Sequence, residues 1–181
     1  VTAEAGQDGS PEEPPRTLRG KLPWLVLAAV VLAADLWTKE VCFEPLPETG
    51  RTMVLEPWFG MTKVRNTGMM WGALQDFGDI LRWFRVAAAV VVLTMMASTA
   101  ARSRLLQLSL ALVLGGALGN IYDGFQFGWV RDFILVDFDV RFFDPFPIFN
   151  VADSAISVGV VLLALGLLLE DRRAARAADA K

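Results

Sequence analysis

Apolar residues concentrate in four blocks of this 181-residue chain, at about 23–42, 83–100, 105–122 and 150–169. Each approaches the roughly 20 apolar residues that a helix needs to cross the hydrocarbon core of a bilayer, so the pattern predicts four transmembrane helices. The last block is entered through FPIFNVADSAISVG (146–159), which places Asn150 and Asp153 at its mouth and Ser154 and Ser157 just beyond. The segments between the blocks read differently. Residues 43–81 contain RTMVLEPWFGMTKVRNTGMMWGAL, where short β-type runs are broken by Pro57, Gly60 and Gly68, and this predicts a small strand layer with turns. Within 123–149, Val136, Phe138, Val140 and Phe142 alternate with Asp137, Asp139 and Arg141, the period of a half-buried strand. The expected fold class is a membrane protein, mainly α, with four transmembrane helices and a small extracytoplasmic β layer.

Residues 1–15, rich in Glu, Pro and Gly, read as a disordered N-terminal tail. Residues 16–170 then form one integral-membrane domain, and 171–181 a C-terminal tail. Arg16, Arg19 and Lys21 precede the first block, but its length, its internal Asp35 and the lack of an A-x-A pattern argue against a cleaved signal peptide. Arg102 and Arg104 fill the second connection, and Arg172, Arg173 and Arg176 follow the last block. These clusters place both termini in the cytoplasm under the positive-inside rule, with Arg82 and Arg85 opposing it from the outer start of the second block. The two longer connections then lie outside.

Composition narrows the chemistry. With 54% hydrophobic residues the chain departs from soluble usage. It has no histidine and a single cysteine, Cys42, which removes the commonest general base and any cysteine-rich metal site. Catalysis must therefore rest on carboxylates, Lys39, hydroxyls or backbone. Helical spacing brings such groups together. Asp35, Thr38 and Lys39 share one face of the first block, Gly116, Asn120 and Asp123 a narrow arc of the third, and Asn150, Asp153, Ser154 and Ser157 one face of the fourth. All three faces lie at the outer ends of their helices, and the outer loops add Asn66 and Asp132. Asp35 and Lys39 also fit a plain i,i+4 ion pair, and Gly115, Gly116 and Gly119 fit close packing between helices. Ionisable groups at membrane depth, such as Asp153, read as functional by default.

The motifs ADLWTK (34–39), RNTG (65–68), GGALGNIYD (115–123), VRDFI (130–134) and FNVADSAISVG (149–159) resemble those of the bacterial lipoprotein signal peptidases, signal peptidase II, in the same order and across about residues 20–170. The resemblance implies an aspartic endopeptidase with Asp132 and Asp153 as the catalytic pair. Asn66, Gly116, Asn120, Asp123, Asn150 and Ala152 would contact substrate or support the pair, and Asp35 and Lys39 would shape the site. It also implies four transmembrane helices, a β-cradle and a short lid segment. The substrate would be a diacylglyceryl-modified prolipoprotein, cleaved just before the lipidated cysteine. No cofactor, metal, nucleic acid or obligate protein partner is implied, and membrane phospholipid is the expected surround. The expected location is the bacterial inner membrane, multi-pass, with the site near the outer leaflet. Two carboxylates held about 3 Å apart cannot both ionise cheaply, so they share a proton near neutral pH. One then activates water while the other donates to the scissile carbonyl.

Two departures stand out. Gly124 occupies a position where the family usually has Arg, and Arg131 is the nearest replacement in sequence; Met69, Met70 and Trp71 replace smaller residues after RNTG. Three other readings stay open. A polar-relay transporter would use Asp35, Lys39, Asp123 and Asp153, though no inverted repeat accompanies them. A metal-dependent lipid transferase would use Asp123, Asp132 and Asp153 as oxygen ligands. A non-catalytic lipoprotein-binding module would leave the aspartates idle.

Overall fold

The computed structural model describes residues 18–68, 78–99, 104–137 and 146–179. The N-terminal tail, Arg102, the Met69, Met70 and Trp71 departure and most of the expected strand at 136–142 lie outside them. No lid is assigned to an element of the described residues.

Four helices form, α1 (Leu18–Thr38), α2 (Gly78–Ser98), α3 (Arg104–Gln126) and α4 (Val151–Asp179), with three strands, β1 (Thr52–Leu55), β2 (Phe59–Asn66) and β3 (Val130–Val136). By length and composition α2, α3 and α4 are apolar enough to cross a membrane. α1 starts before the expected Pro23, which the helix accommodates in its second turn. α4 runs past Leu169 because Ala and Arg, both good helix formers, continue it to Asp179.

α3 is central and touches α1, α2 and α4. In lipid, helices gain little from burying apolar surface against one another, so they associate by close packing over small residues. A Cβ at Gly115 would lie 2.5 Å from the Ala28 carbonyl oxygen, and one at Gly116 2.5 Å from that of Ala152. A Cβ at Gly159 would lie 2.9 Å from the Ser109 carbonyl oxygen. Ala28, Ala89, Met96, Leu110, Ala111 and Leu114 fill the centre. Outward faces carry Val26 and Val30, Val90 and Val91, and Val160 and Val161, an exposure suited to lipid. At the end away from the site, Lys21 and Gln107 donate to the Met96 and Thr99 carbonyls, groups that the end of α2 leaves without helical partners.

The opposite end carries the sheet, antiparallel in the order β1–β2–β3. α3 ends at Gln126; two residues on, Gly128, with a φ of +81°, makes a left-handed turn that only glycine adopts at no steric cost, and the chain enters β3. This strand lies ahead of the expected one. Residues 130–133, two apolar and two charged, are all buried, so burial on both faces replaces the alternation of a half-exposed strand. Register then builds the site: Val64 pairs with Asp132 and Asn66 with Val130, which puts Asn66 and Asp132 on one face, diagonal to each other. Phe149 bridges to Ile134, fixing the start of α4 beside β3.

Gly116→Ala is expected to lower the stability of the detergent-solubilised protein by about 1–3 kcal/mol, the usual cost of overpacking. Gly124→Ala, whose new methyl meets nothing closer than 3.8 Å, should be tolerated. Thermal unfolding of the two variants side by side checks the contrast.

Candidate active site

Asn150 caps α4. Its side-chain oxygen accepts the Asp153 N–H at 2.9 Å, and its own N–H donates back to Asp153 Oδ2 at 3.2 Å. This is the reciprocal capping arrangement that satisfies helix-start donors. It uses only one end of the Asn150 amide. Nδ2 donates to Asp132 Oδ1 at 2.7 Å and to Asn120 Oδ1 at 3.2 Å. One residue therefore holds both aspartates.

Each carboxylate has a second donor. Asn66 Nδ2 donates to Asp132 Oδ2 at 2.9 Å, and Asn120 Nδ2 to Asp153 Oδ1 at 2.8 Å. Asn66 is oriented in turn by the Gly68 N–H, which donates to its oxygen at 2.9 Å. Asp132 is buried and Asp153 half-buried. Both line a cavity of about 260 Å³ with Phe146, Phe149, Ser154 and Ser157. A second cavity of about 250 Å³ shares Asn66 and Asp153 with the first and is bounded also by Asn120 and Arg85.

Behind this layer Lys39 is fully buried, 2.7 Å from Asp35 Oδ2 and 3.1 Å from Asp123 Oδ2. Its third contact is Asn120 Oδ1 at 3.2 Å. A π-helical turn, Lys39–Phe43, begins at this residue, a distortion frequent at functional sites. Asp35 Oδ1 accepts the Ala152 N–H at 2.9 Å, so the pair is more than an i,i+4 brace. Because alternate residues of a strand face opposite ways, Arg131 turns from Asp132 to the anchor side. There it meets Asp123 at 2.9 Å, Glu40 at 3.0 Å and Glu44 at 3.3 Å. Arg131 is thus committed and cannot stand in for the missing arginine at position 124. Against the cost of burial, Asp123 and then Glu40 and Glu44 raise its pKa above the ordinary value.

All ten residues singled out in the sequence meet here: Asp132, Asp153, Asn66, Asn120 and Asn150 in direct contact, Asp35, Lys39 and Asp123 behind, and Gly116 and Ala152 at the α3–α4 approach. Asp123 faces Lys39 and Arg131 instead of converging with the other two aspartates. Among the described residues, no group of three or more Asp, Glu, His or Cys side chains is placed to hold a metal ion. Sequence reasoning passed over Glu40 and Glu44, although their i,i+4 spacing marks one face. It counted Arg85 only as a charge opposing the assigned sidedness.

Burial first, and the neighbouring charge of Asp153 second, raise the Asp132 pKa from 3.8 to about 7; the Asn66 amide, Lys39 and the Asn150 amide pull the other way. A carboxyl in this condition exchanges protons near neutrality and can serve acid–base chemistry.

The family model described as Signal peptidase (SPase) II matches residues 27–169. The lipoprotein signal peptidase of Ectopseudomonas mendocina (strain ymp) is 42% identical over 164 residues, covering 88% of this chain and 96% of that protein. That of Pseudomonas aeruginosa (strain UCBPP-PA14) is 40% identical over 152 residues, covering 82% and 89%. Among solved structures, a bacterial membrane enzyme determined by the in meso method at 2.3 Å resolution superposes with a TM-score of 0.75 at 27% identity, over 82% of this chain and 89% of that one.

Infrared difference spectra of the wild type should show a carboxyl band lost with a midpoint near pH 7, absent in Asp132→Asn. The Asn66 N–H bond favours the charged form, so Asn66→Ala should move the midpoint to higher pH. A downward or null shift would contradict the assigned hydrogen bond.

Proposed function

This chain belongs to the signal peptidase II family, and on that premise we propose that Asp132 and Asp153 are the aspartic pair with which it hydrolyses its substrate. As a family member it is an integral-membrane peptidase that removes signal peptides from prolipoproteins. The observation that carries the residue assignment is the Asn150 bridge, which holds both carboxylates on the wall of one cavity.

In this reading the pair holds one proton. The charged member takes a proton from water as the water oxygen attacks the scissile carbonyl carbon, and the protonated member donates to the carbonyl oxygen. Collapse of the tetrahedral intermediate breaks the C–N bond, and the departing amine of the lipidated cysteine receives a proton from the pair. Asn66, Asn120 and Asn150 keep both carboxylates oriented, so little reorganisation is needed as charge moves. Asp35, Lys39 and Asp123 hold Asn120 and the start of α4. Gly116 and Ala152 let α3 and α4 approach closely enough for Asn120 to reach Asp153.

α1 is proposed as the fourth span. Its 21 residues extend about 30 Å at 1.5 Å per residue, it packs on α3 through Ala28 and Val31, and it exposes Leu22, Val26 and Val30. Lys21, Arg104, Arg172, Arg173 and Arg176 lie at the helix ends away from the site, which favours cytoplasmic termini and a site near the outer leaflet of the inner membrane. The small sheet beside the site is proposed as the cradle for the peptide. The diacylglyceryl group would keep the scissile bond at this depth, surrounded by membrane phospholipid, so remote binding energy positions the reacting centre.

Asp132→Asn and Asp153→Asn should each lower kcat on a diacylglyceryl-modified prolipoprotein by about 10²–10⁴-fold, the range for general acid–base groups, with folding and substrate binding kept. Activity surviving in either variant removes that residue from the pair. An unmodified precursor should be cleaved poorly by the wild type; equal kcat/KM with and without the lipid would eliminate the positioning role of the diacylglyceryl group.

A further inference from the structure

We infer that Arg85 is a substrate-binding residue, its guanidinium presented by α2 into the second cavity to hold carbonyl oxygens of the substrate beside Asp153. The inference rests on the peptidase reading above and names a contact for it. An arginine within an apolar span is rare and faces a protein interior or a polar cavity, so its surroundings must justify it. Arg85 Nη2 donates to the Gly68 carbonyl oxygen at 2.9 Å. That is its one hydrogen bond among the described residues, which also give it no ion pair. A guanidinium has five N–H donors in a fixed fork, so most of this one faces the cavity or solvent unmatched.

Of the arginines nearest to it, Arg131 is held by three carboxylates, and Arg82 pairs with Asp79 at 3.2 Å and lies over the Phe125 ring, with its Nε left without a partner. The cavity at Arg85 has apolar walls from Phe84, Ala88, Val113 and Ile156, and its polar edge is Asn66, Asn120 and Asp153. Gly124 is part of the arrangement. A Cβ there would lie in ordinary contact with Arg85 Nη1 at 3.9 Å, so the α2 guanidinium sits beside the point from which an α3 side chain at 124 would project. A neutral carbonyl oxygen suits such a fork at this depth, because it brings no second charge to desolvate. Carbonyls could come from the peptide backbone near the scissile bond or from the glyceryl esters, both of which must lie close to the pair.

Arg85 also pins the turn that carries Asn66, since Gly68 N–H donates to Asn66 and Asn66 to Asp132. A purely structural arginine would therefore act through Asp132. The experiment separates the two roles with full-length protein, a diacylglyceryl-modified prolipoprotein and its dialkyl-ether analogue. Arg85→Gln should raise KM by about 10–100-fold, as for loss of a charge-assisted hydrogen bond, with a shift of the Asp132 infrared titration, carried through Gly68, smaller than that of Asn66→Ala. Adding Gly124→Arg should recover KM by returning a guanidinium from α3. Wild-type KM in Arg85→Gln, or a fall in kcat with an altered Asp132 titration and unchanged KM, would overturn the inference. If Arg85→Gln does not fold, Arg85→Lys serves: it keeps the charge but loses the fork, and wild-type KM there overturns the inference equally. The ether analogue identifies the source. A penalty seen in wild type and absent in Arg85→Gln assigns the contact to the ester; an equal response in both assigns it to the peptide. A wild type that cleaves neither substrate defeats the peptidase reading itself, whereas an active wild type matched by Arg85→Gln defeats only the role of Arg85.

Discussion

The buried ammonium of Lys39 is the point from which the rest of the site hangs. Its three contacts, Asp35, Asp123 and Asn120, match the three donors of an ammonium group. They tie α1 to α3, and Asp35 carries the tie on to the first turn of α4 through the Ala152 N–H. An ion removed from water costs several kcal/mol unless it is paired and hydrogen-bonded on every side, so these contacts are mutually dependent. Gly119 belongs to the same constraint, because a Cβ there would overlap the Asp35 carboxylate. Arg131 completes the charge pairing from the sheet. Removing either carboxylate would leave a buried charge uncompensated, and removing Asn120 would leave an ammonium donor unmatched.

The sheet solves a separate problem. A carboxylate on α4 can be oriented by α3, but a partner for it must come from a different element held in register. β3 supplies one by alternation, sending Asp132 to the pair and Arg131 to the anchor. The Phe149–Ile134 bridge then removes the slack between β3 and α4. A slip of one residue would exchange Asp132 and Arg131 and place a cation beside Asp153. Register here is a chemical requirement as much as a packing one.

Much of this was legible in the sequence because it is local. The i,i+4 spacing of Asp35 and Lys39, the shared face of Asn150 and Asp153 and the Gly116–Asn120–Asp123 arc follow from helix period alone. The apolar blocks located the helices, though not their ends: α1 accommodates Pro23, and α4 continues through Arg172, Arg173 and Arg176. What escaped is long-range. Glu40 and Glu44 gain meaning only when Arg131 arrives from 87 and more residues away. β3 went unread because a strand buried on both faces loses the alternation that marks a half-exposed one. Arg85 read as a charge opposing the assigned sidedness, since nothing local announces Gly68 or the space beside Gly124.

That relocated guanidinium has a consequence for how the proposed site would work. One arm of Arg85 holds the turn that orients Asn66 against Asp132, and the other faces the cavity where substrate carbonyls would lie. Filling the cavity would restrict the fork, and through Gly68 it would restrict the Asn66 amide. Linkage requires the converse: an Asn66 held firmly by Asp132 keeps the fork ready for substrate. An arginine rooted in α3 at position 124 would lack this connection, because its backbone would not share the turn that carries Asn66. Substrate seating and alignment of the aspartic pair are in this chain two ends of one hydrogen-bonded path.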